Sequence, residues 1–183
     1  NISGSGLSGT TLTIGIEGGF SEAVDLASLQ DGSGALEEIT EGGNTGYRIA
    51  GRAAANYGDI GNNAVDLSYS PFGSTTYGAS GSSSTAMGYN TTASGSSSTA
   101  MGLFTTASGS FSTAMGAYTT ASGPSSTAMG DNTTAKSYAE TTIGLNNTDY
   151  TPAGATSWNS ADRLFVIGNG SSLSAKSDAM IVY

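Results

Sequence analysis

From Tyr77 to Asn146, apolar and polar positions recur with a step of 14 residues. Met87, Met101, Met115 and Met129 mark the step, and Ile143 takes the next place. Around them Ser-Thr-Ala-Met-Gly stands at 84–88, 98–102, 112–116 and 126–130, followed by Glu-Thr-Thr-Ile-Gly at 140–144. A second block keeps the same step, with Thr-Thr-Ala-Ser-Gly at 91–95, 105–109 and 119–123. Its first copy is Tyr77-Gly78-Ala79-Ser80-Gly81, and its last is Thr133-Thr134-Ala135-Lys136-Ser137. A fixed period over five copies is the mark of a stacked repeat architecture.

Each copy holds two short β-compatible segments, each closed by a small residue, usually glycine. A helix is disfavoured, because glycine would fall in every turn at about 1 kcal/mol relative to alanine. Two strands and two corners per copy predict one coil of a parallel β-solenoid, stacked at about 4.8 Å. Along each longer strand Thr99 and Met101 share one face, and Ser98 and Ala100 share the other. The coil interior is therefore narrow and lined by small groups. One methionine per coil buries too little apolar surface to offset the ordering of the backbone. The methionine face is expected to pack against copies of itself, which makes Met87, Met101, Met115, Met129 and Ile143 the candidate assembly seam.

The flanks have other patterns. Leu12, Ile14 and Ile16 alternate with Thr13 and Gly15, Gly18-Gly19 turns the chain, and Ala23-Val24-Asp25-Leu26 resumes, which predicts a β-hairpin. Asp31-Gly32-Ser33-Gly34 reads as a linker, so 1–34 form one small module. Residues 35–76 are expected as an irregular entry segment, 77–146 as the solenoid, and 147–183 as a capping hairpin. In the last, Arg163-Leu164-Phe165-Val166-Ile167 is a buried strand and Ala179-Met180-Ile181-Val182 its return. Trp158, the single tryptophan, is expected to plug the solenoid end. Because its first and last residues interrupt patterned text, the chain is expected to be a fragment of a longer protein.

Composition narrows the function. Charged residues make up 10% of the chain, where about 25% is usual. A net charge of −9 with five Lys and Arg gives no basic footprint for nucleic acid or for an anionic membrane surface. No apolar run approaches the length of a membrane-spanning helix. Cysteine and histidine are absent, which removes disulfides, thiolate metal sites, the commonest zinc ligand and the commonest general base. No enzyme, metal or cofactor is expected.

Gly4-Ser5-Gly6-Leu7-Ser8-Gly9 has the letters of a dinucleotide fingerprint without its strand–helix context, and reads as linker. The carboxylates between Glu37 and Asp66 lie in a Gly/Asn-rich stretch and read as solvated surface rather than as a glycosidase pair. Asp59, Asn62, Asn63 and Asp66 lack calcium-loop spacing and read as turn chemistry. Thr91, Thr105, Thr119 and Thr133 would align along the stack, but Thr91 and Thr92 point to opposite faces and make no two-threonine ice face.

Inside the repeat only a few positions vary. The pairs after Met-Gly read Tyr89-Asn90, Leu103-Phe104, Ala117-Tyr118, Asp131-Asn132 and Leu145-Asn146, and Phe111 varies elsewhere in its coil. Freedom from the repeat marks Tyr89, Phe104, Phe111 and Tyr118 as candidate exposed binding corners, placed to stack on sugars or proteins.

The repeated Ser-Thr-Ala-Met-Gly resembles the Ser-Val-Ala-Ile-Gly phrase of YadA-like heads in trimeric autotransporter adhesins. Ser8-Gly9-Thr10-Thr11-Leu12-Thr13-Ile14 and Asp162-Arg163-Leu164-Phe165-Val166-Ile167-Gly168-Asn169-Gly170 resemble pieces beside such heads in bacterial surface proteins and phage tail fibres. The resemblance implies an all-β, left-handed parallel β-roll assembled as a homotrimer. It also implies an extracellular place, on a bacterial cell surface or on a virion or injection-system tail fibre. The implied role is attachment to a host or neighbouring cell-surface receptor, glycan or protein. The alternative is a structural shaft without a ligand. Thr replaces the family's Val at 85, 99, 113 and 127, and Met replaces Ile at four of five coils, so collagen binding, known for some members, is not carried over.

Overall fold

The computed structural model describes residues 36–183 in full and, upstream, the backbone of 6–8, 11–16 and 20–25. The chain divides into two units, Asn1–Glu37 and Glu38–Tyr183. In the first, β1 (Gly6–Ser8), β2 (Thr11–Ile16) and β3 (Phe20–Asp25) form an antiparallel sheet in that order. β2 and β3 make the hairpin that the alternation of Leu12, Ile14 and Ile16 predicts, with Ile16 opposite Phe20 and Leu12 opposite Val24. The linker expected at Asp31–Gly34 lies outside the described residues.

The second unit opens within β4 (Leu36–Glu41), followed by β5 (Asn44–Ile49), and the two flank Gly42-Gly43, both at positive φ as a two-residue hairpin turn needs. After β6 (Val65–Tyr69) come the pairs β7 (Gly78–Ala79) and β8 (Thr85–Tyr89), β9 (Thr92–Ala93) and β10 (Thr99–Leu103), β11 (Thr106–Ala107) and β12 (Thr113–Ala117). Then follow β13 (Thr120–Ala121) and β14 (Thr127–Asp131), β15 (Thr134–Ala135) and β16 (Thr141–Leu145), and lastly β17 (Phe165–Asn169) and β18 (Asp178–Val182). The short strands β7 to β15 stack into a five-stranded sheet, and the long ones belong to a ten-stranded sheet running from β4 to β18. The result is the β-solenoid expected from the period, with about seven turns. All repeat strands pair parallel and in register, Met101 between Met87 and Met115.

The repeat text explains the cross-section. Ala86, Ala100, Ala114 and Ala128 from the long strands are fully buried together with Ala93, Ala107, Ala121 and Ala135 from the short ones. Two alanine methyl groups per coil thus fill the interior, flanked by buried Ser98 and Thr105 and their repeats. So thin a core requires close approach of the backbone. Gly102 has φ +125°, and a Cβ placed there would lie 2.0 Å from the Gly116 carbonyl oxygen of the next coil. Only glycine meets both demands.

The parallel ladder reaches past both ends of the written repeat. Val65–Tyr69 pairs with Thr85–Tyr89, and Phe165–Asn169 pairs with Thr141–Leu145, Ile167 beside Ile143 and Gly168 beside Gly144. Residues 35–76, an irregular entry segment by sequence, therefore supply three strands of the ten-stranded sheet. The five-stranded sheet does end as the period does. Asn147 closes it, with Oδ1 accepting from the Thr134 N–H at 2.8 Å and Nδ2 donating to the Thr134 carbonyl at 3.0 Å.

Trp158 does not plug the solenoid; it is 69% exposed. An interior two methyl groups wide has no room for an indole. Its last inner position belongs to Val166, fully buried beside Thr142. Glu140 also serves this end, where the other coils carry a buried serine. Its Oε2 accepts from the N–H groups of Lys136 at 2.6 Å and Ser137 at 2.9 Å, and Oε1 accepts from the Thr142 hydroxyl at 3.3 Å. At the opposite end, buried Arg48 stands inside the stack next to Asp66. It donates through Nε to Asp66 at 3.3 Å and bidentately to Glu41 at 3.0 and 3.1 Å, over the ring of Tyr57.

Candidate interaction surfaces

Because successive strand residues face opposite ways, burying alanine turns methionine outward. Met87, Met101, Met115, Met129 and Ile143 stand side by side in one column on the outer face of the ten-stranded sheet. The column continues into the flanks: Leu67 pairs with Met87, Ile167 with Ile143, and Met180 of β18 with Ile167. These eight side chains form one apolar row that the single chain leaves half-buried or exposed, with Met87, Met129 and Met180 at 37%, 41% and 42%. The row is contiguous and left uncovered by the chain itself.

The structure brings together three of the four corner aromatics. Tyr89, Phe104 and Tyr118 lie in one run with Tyr69, their ring centroids 5.9, 5.7 and 5.4 Å apart from Tyr69 onward, and Arg52 caps it 4.7 Å over Tyr69. Phe104 and Tyr118 are face to face, with an interplanar angle of 8°. Both adopt left-handed backbone, φ +51° and +53°, at a corner where other coils place Asn90, Asn132 and Asn146. A bulky residue there costs on the order of 1–3 kcal/mol, and aromatic stacking returns about 0.5–1.5 kcal/mol per pair. Much of the ring surface of Phe104 is thus spent on its neighbours.

Phe111 stands apart, on the opposite corner and 67% exposed. Its φ of +60° occupies a place that Ser83, Ser97 and Ser125 take in other coils.

Other sequence candidates resolve simply. Glu41 and Asp66 share the Arg48 guanidinium. Asp66 is buried there, away from exposed Asp59, Asn62 and Asn63. Thr91, Thr105, Thr119 and Thr133 lie fully inside the roll.

Leu67, Ile167 and Met180 in the apolar row, and Tyr69 and Arg52 in the aromatic run, were not legible as members of the repeat. A signal existed: Phe165-Val166-Ile167-Gly168 repeats the phrasing of Thr141-Thr142-Ile143-Gly144, displaced by 24 residues instead of 14.

Two adjacent ionisations in the C-terminal module are displaced: the hydrogen bond from Lys136 lowers the Asp149 carboxyl, and Tyr150 moves the other way. Burial, with the nearby Glu140 carboxylate adding to it, pushes the Tyr150 phenol up to about 12. The Arg163 guanidinium lies 4.1 Å over that ring. A folded pKa raised above the ordinary value of about 10 leaves stability intact below that pH and withdraws it as pH rises toward 12. In alkaline melts, wild type should lose more stability than Tyr150→Phe between pH 10 and about 12. Parallel pH curves would show that the phenol contributes nothing to the alkaline limb.

Comparison with known families agrees with this geometry. Residues 79–105, 93–119 and 107–133 each match the family model described as the YadA head domain repeat (2 copies). Residues 79–133 are therefore similar to the repeats of a YadA head. Comparison with curated proteins and with solved structures gives no match.

Proposed function

We propose that the chain is the head of a homotrimeric, extracellular, non-enzymatic attachment fibre, carried on a bacterial surface or on a virion or injection-system tail. The observation that carries the reading is the unbroken apolar row from Leu67 to Met180 on the outer sheet face. Three copies packed around an axis would cover it, as in YadA-type heads, which form trimers. Exposed corner residues such as Phe111 and Tyr118 would be offered to a receptor.

The second reading, a structural shaft without a ligand, draws on the aromatic run, whose rings contact one another. Retention of beads coated with the full chain on layers of eukaryotic and bacterial cells separates the two. The attachment reading expects retention well above beads coated with an inert protein, on at least one cell type. Retention at the inert level on every layer would leave the shaft.

A further inference from the structure

One edge of the solenoid changes character toward the C-terminal end. At the corner that opens each long strand, early coils carry Ser82-Ser83 and Ser96-Ser97. The next coils carry Phe111, then Pro124, then Tyr138 at the corresponding places, linked coil to coil by backbone bonds from Phe111 N–H to Ser96 and from Ala139 N–H to Pro124. Phe111 is 67% exposed in left-handed backbone, a cost that its serine neighbours on this corner do not offset. Tyr138 then forms one wall of a cleft of about 290 Å³, and Trp158 and Tyr183, at 69% and 66% exposure, form others.

The charged side chains that line the cleft are buried and bound within the protein, Arg163 also beside Asp178. Asp162 is buried, with both oxygens accepting backbone N–H groups, Ala153 at 2.6 Å and Gly154 at 2.8 Å. Arg163 donates to the Thr148 carbonyl at 2.9 Å. What faces solvent is the Ser160 hydroxyl and the partly exposed Asn159 carboxamide, whose Oδ1 accepts from the Ala161 N–H. Aromatic walls with a few neutral hydrogen-bonding groups suit a ligand with an apolar C–H face and a rim of hydroxyls. The volume suits one or two sugar rings. A chain of net charge −9 disfavours acidic sugars.

We infer that this cleft, with Trp158 as its stacking platform and Phe111 at the far end of the same edge, binds a neutral oligosaccharide. The inference deepens the attachment reading and rests on it, naming the ligand class at one place on the fibre. Attachment through another corner would survive its failure.

Trp158 is the single tryptophan, so its fluorescence reports this cleft alone. The assembled full chain is titrated with neutral hexose- and N-acetylhexosamine-containing oligosaccharides and with sialylated and uronate-containing counterparts. Expected is a solvent-exposed, acrylamide-quenchable emission that shifts blue, saturably, with at least one neutral sugar. Tyr183→Ala should weaken that binding about tenfold with unchanged melting. An indole already shielded in the ligand-free assembly would overturn the inference and assign the cleft to contacts between copies. So would an emission unmoved by every sugar, a response confined to the acidic ones, or a titration unchanged by Tyr183→Ala. Bead retention on cells alongside a silent titration would overturn the site and leave the attachment reading standing.

Discussion

Gly102→Ala is expected to lower the stability of the fold by on the order of 3–5 kcal/mol, although it adds one methyl group. The new Cβ would meet the Gly116 carbonyl oxygen at 2.0 Å, and φ is +125°. The clash is with backbone of the next coil, so relief requires the stack to separate at that rung and weaken its ladder bonds. Gly43→Ala is the matched control: φ is +83°, but nothing lies within 4 Å of the added Cβ. It should cost only the conformational part, about 1 kcal/mol. Thermal melts of the two variants measure the difference. Equal losses would mean that coil spacing is not held by the glycine column.

Met101→Asp is the second large effect, and it acts between chains rather than within one. Met101 lies mid-row with Met87 and Met115 on either side, on the face opposite the alanine core. A carboxylate there does not enter the alanine core, because the side chain faces out. In a trimer it places three unpaired charges in a closed apolar seam, at several kcal/mol each. The variant should therefore fail to assemble as a trimer or melt at a sharply lower temperature. Phe104→Asp tests the other side of the assignment. It loses the stack on Tyr118 but removes a bulky residue from left-handed backbone at φ +51°, so melting should move by under about 1 kcal/mol and assembly not at all. Similar behaviour of the two variants would overturn the division between seam and corner.

The legible and illegible parts of this fold divide along a physical line. Met87, Met101, Met115, Met129 and Ile143 could be aligned by eye because parallel stacking forces identical residues into identical places. Period 2 within each strand then gave the alanine-in, methionine-out arrangement. The ladder's ends were harder, because a strand can rejoin a stack after any loop long enough to return. The loop before Phe165–Asn169 breaks the period while its strand keeps the register.

Burial within the flanks was no easier to read. The inner place that alanine fills in the repeat is held at one end by Arg48 against Asp66 and at the other by Val166. A charged residue at an inner position reads as surface until its partner is known. The aromatic run illustrates a further limit. Variation at 89, 104 and 118 marked freedom from the repeat, but rings on successive coils stand close enough to stack on one another, which spacing alone does not reveal. Trp158 was misplaced because a large aromatic near a solenoid end invites the role of plug, while the width of the interior, set by alanine, forbids it.

Two further copies of the chain are expected to cover the apolar row. Sedimentation equilibrium of the untagged chain at micromolar concentration, with Met101→Asp run beside it, tests this most directly. Wild type should sediment as a single species of three chain masses, and Met101→Asp should give no such species. A stable, folded wild-type monomer at that concentration would contradict it.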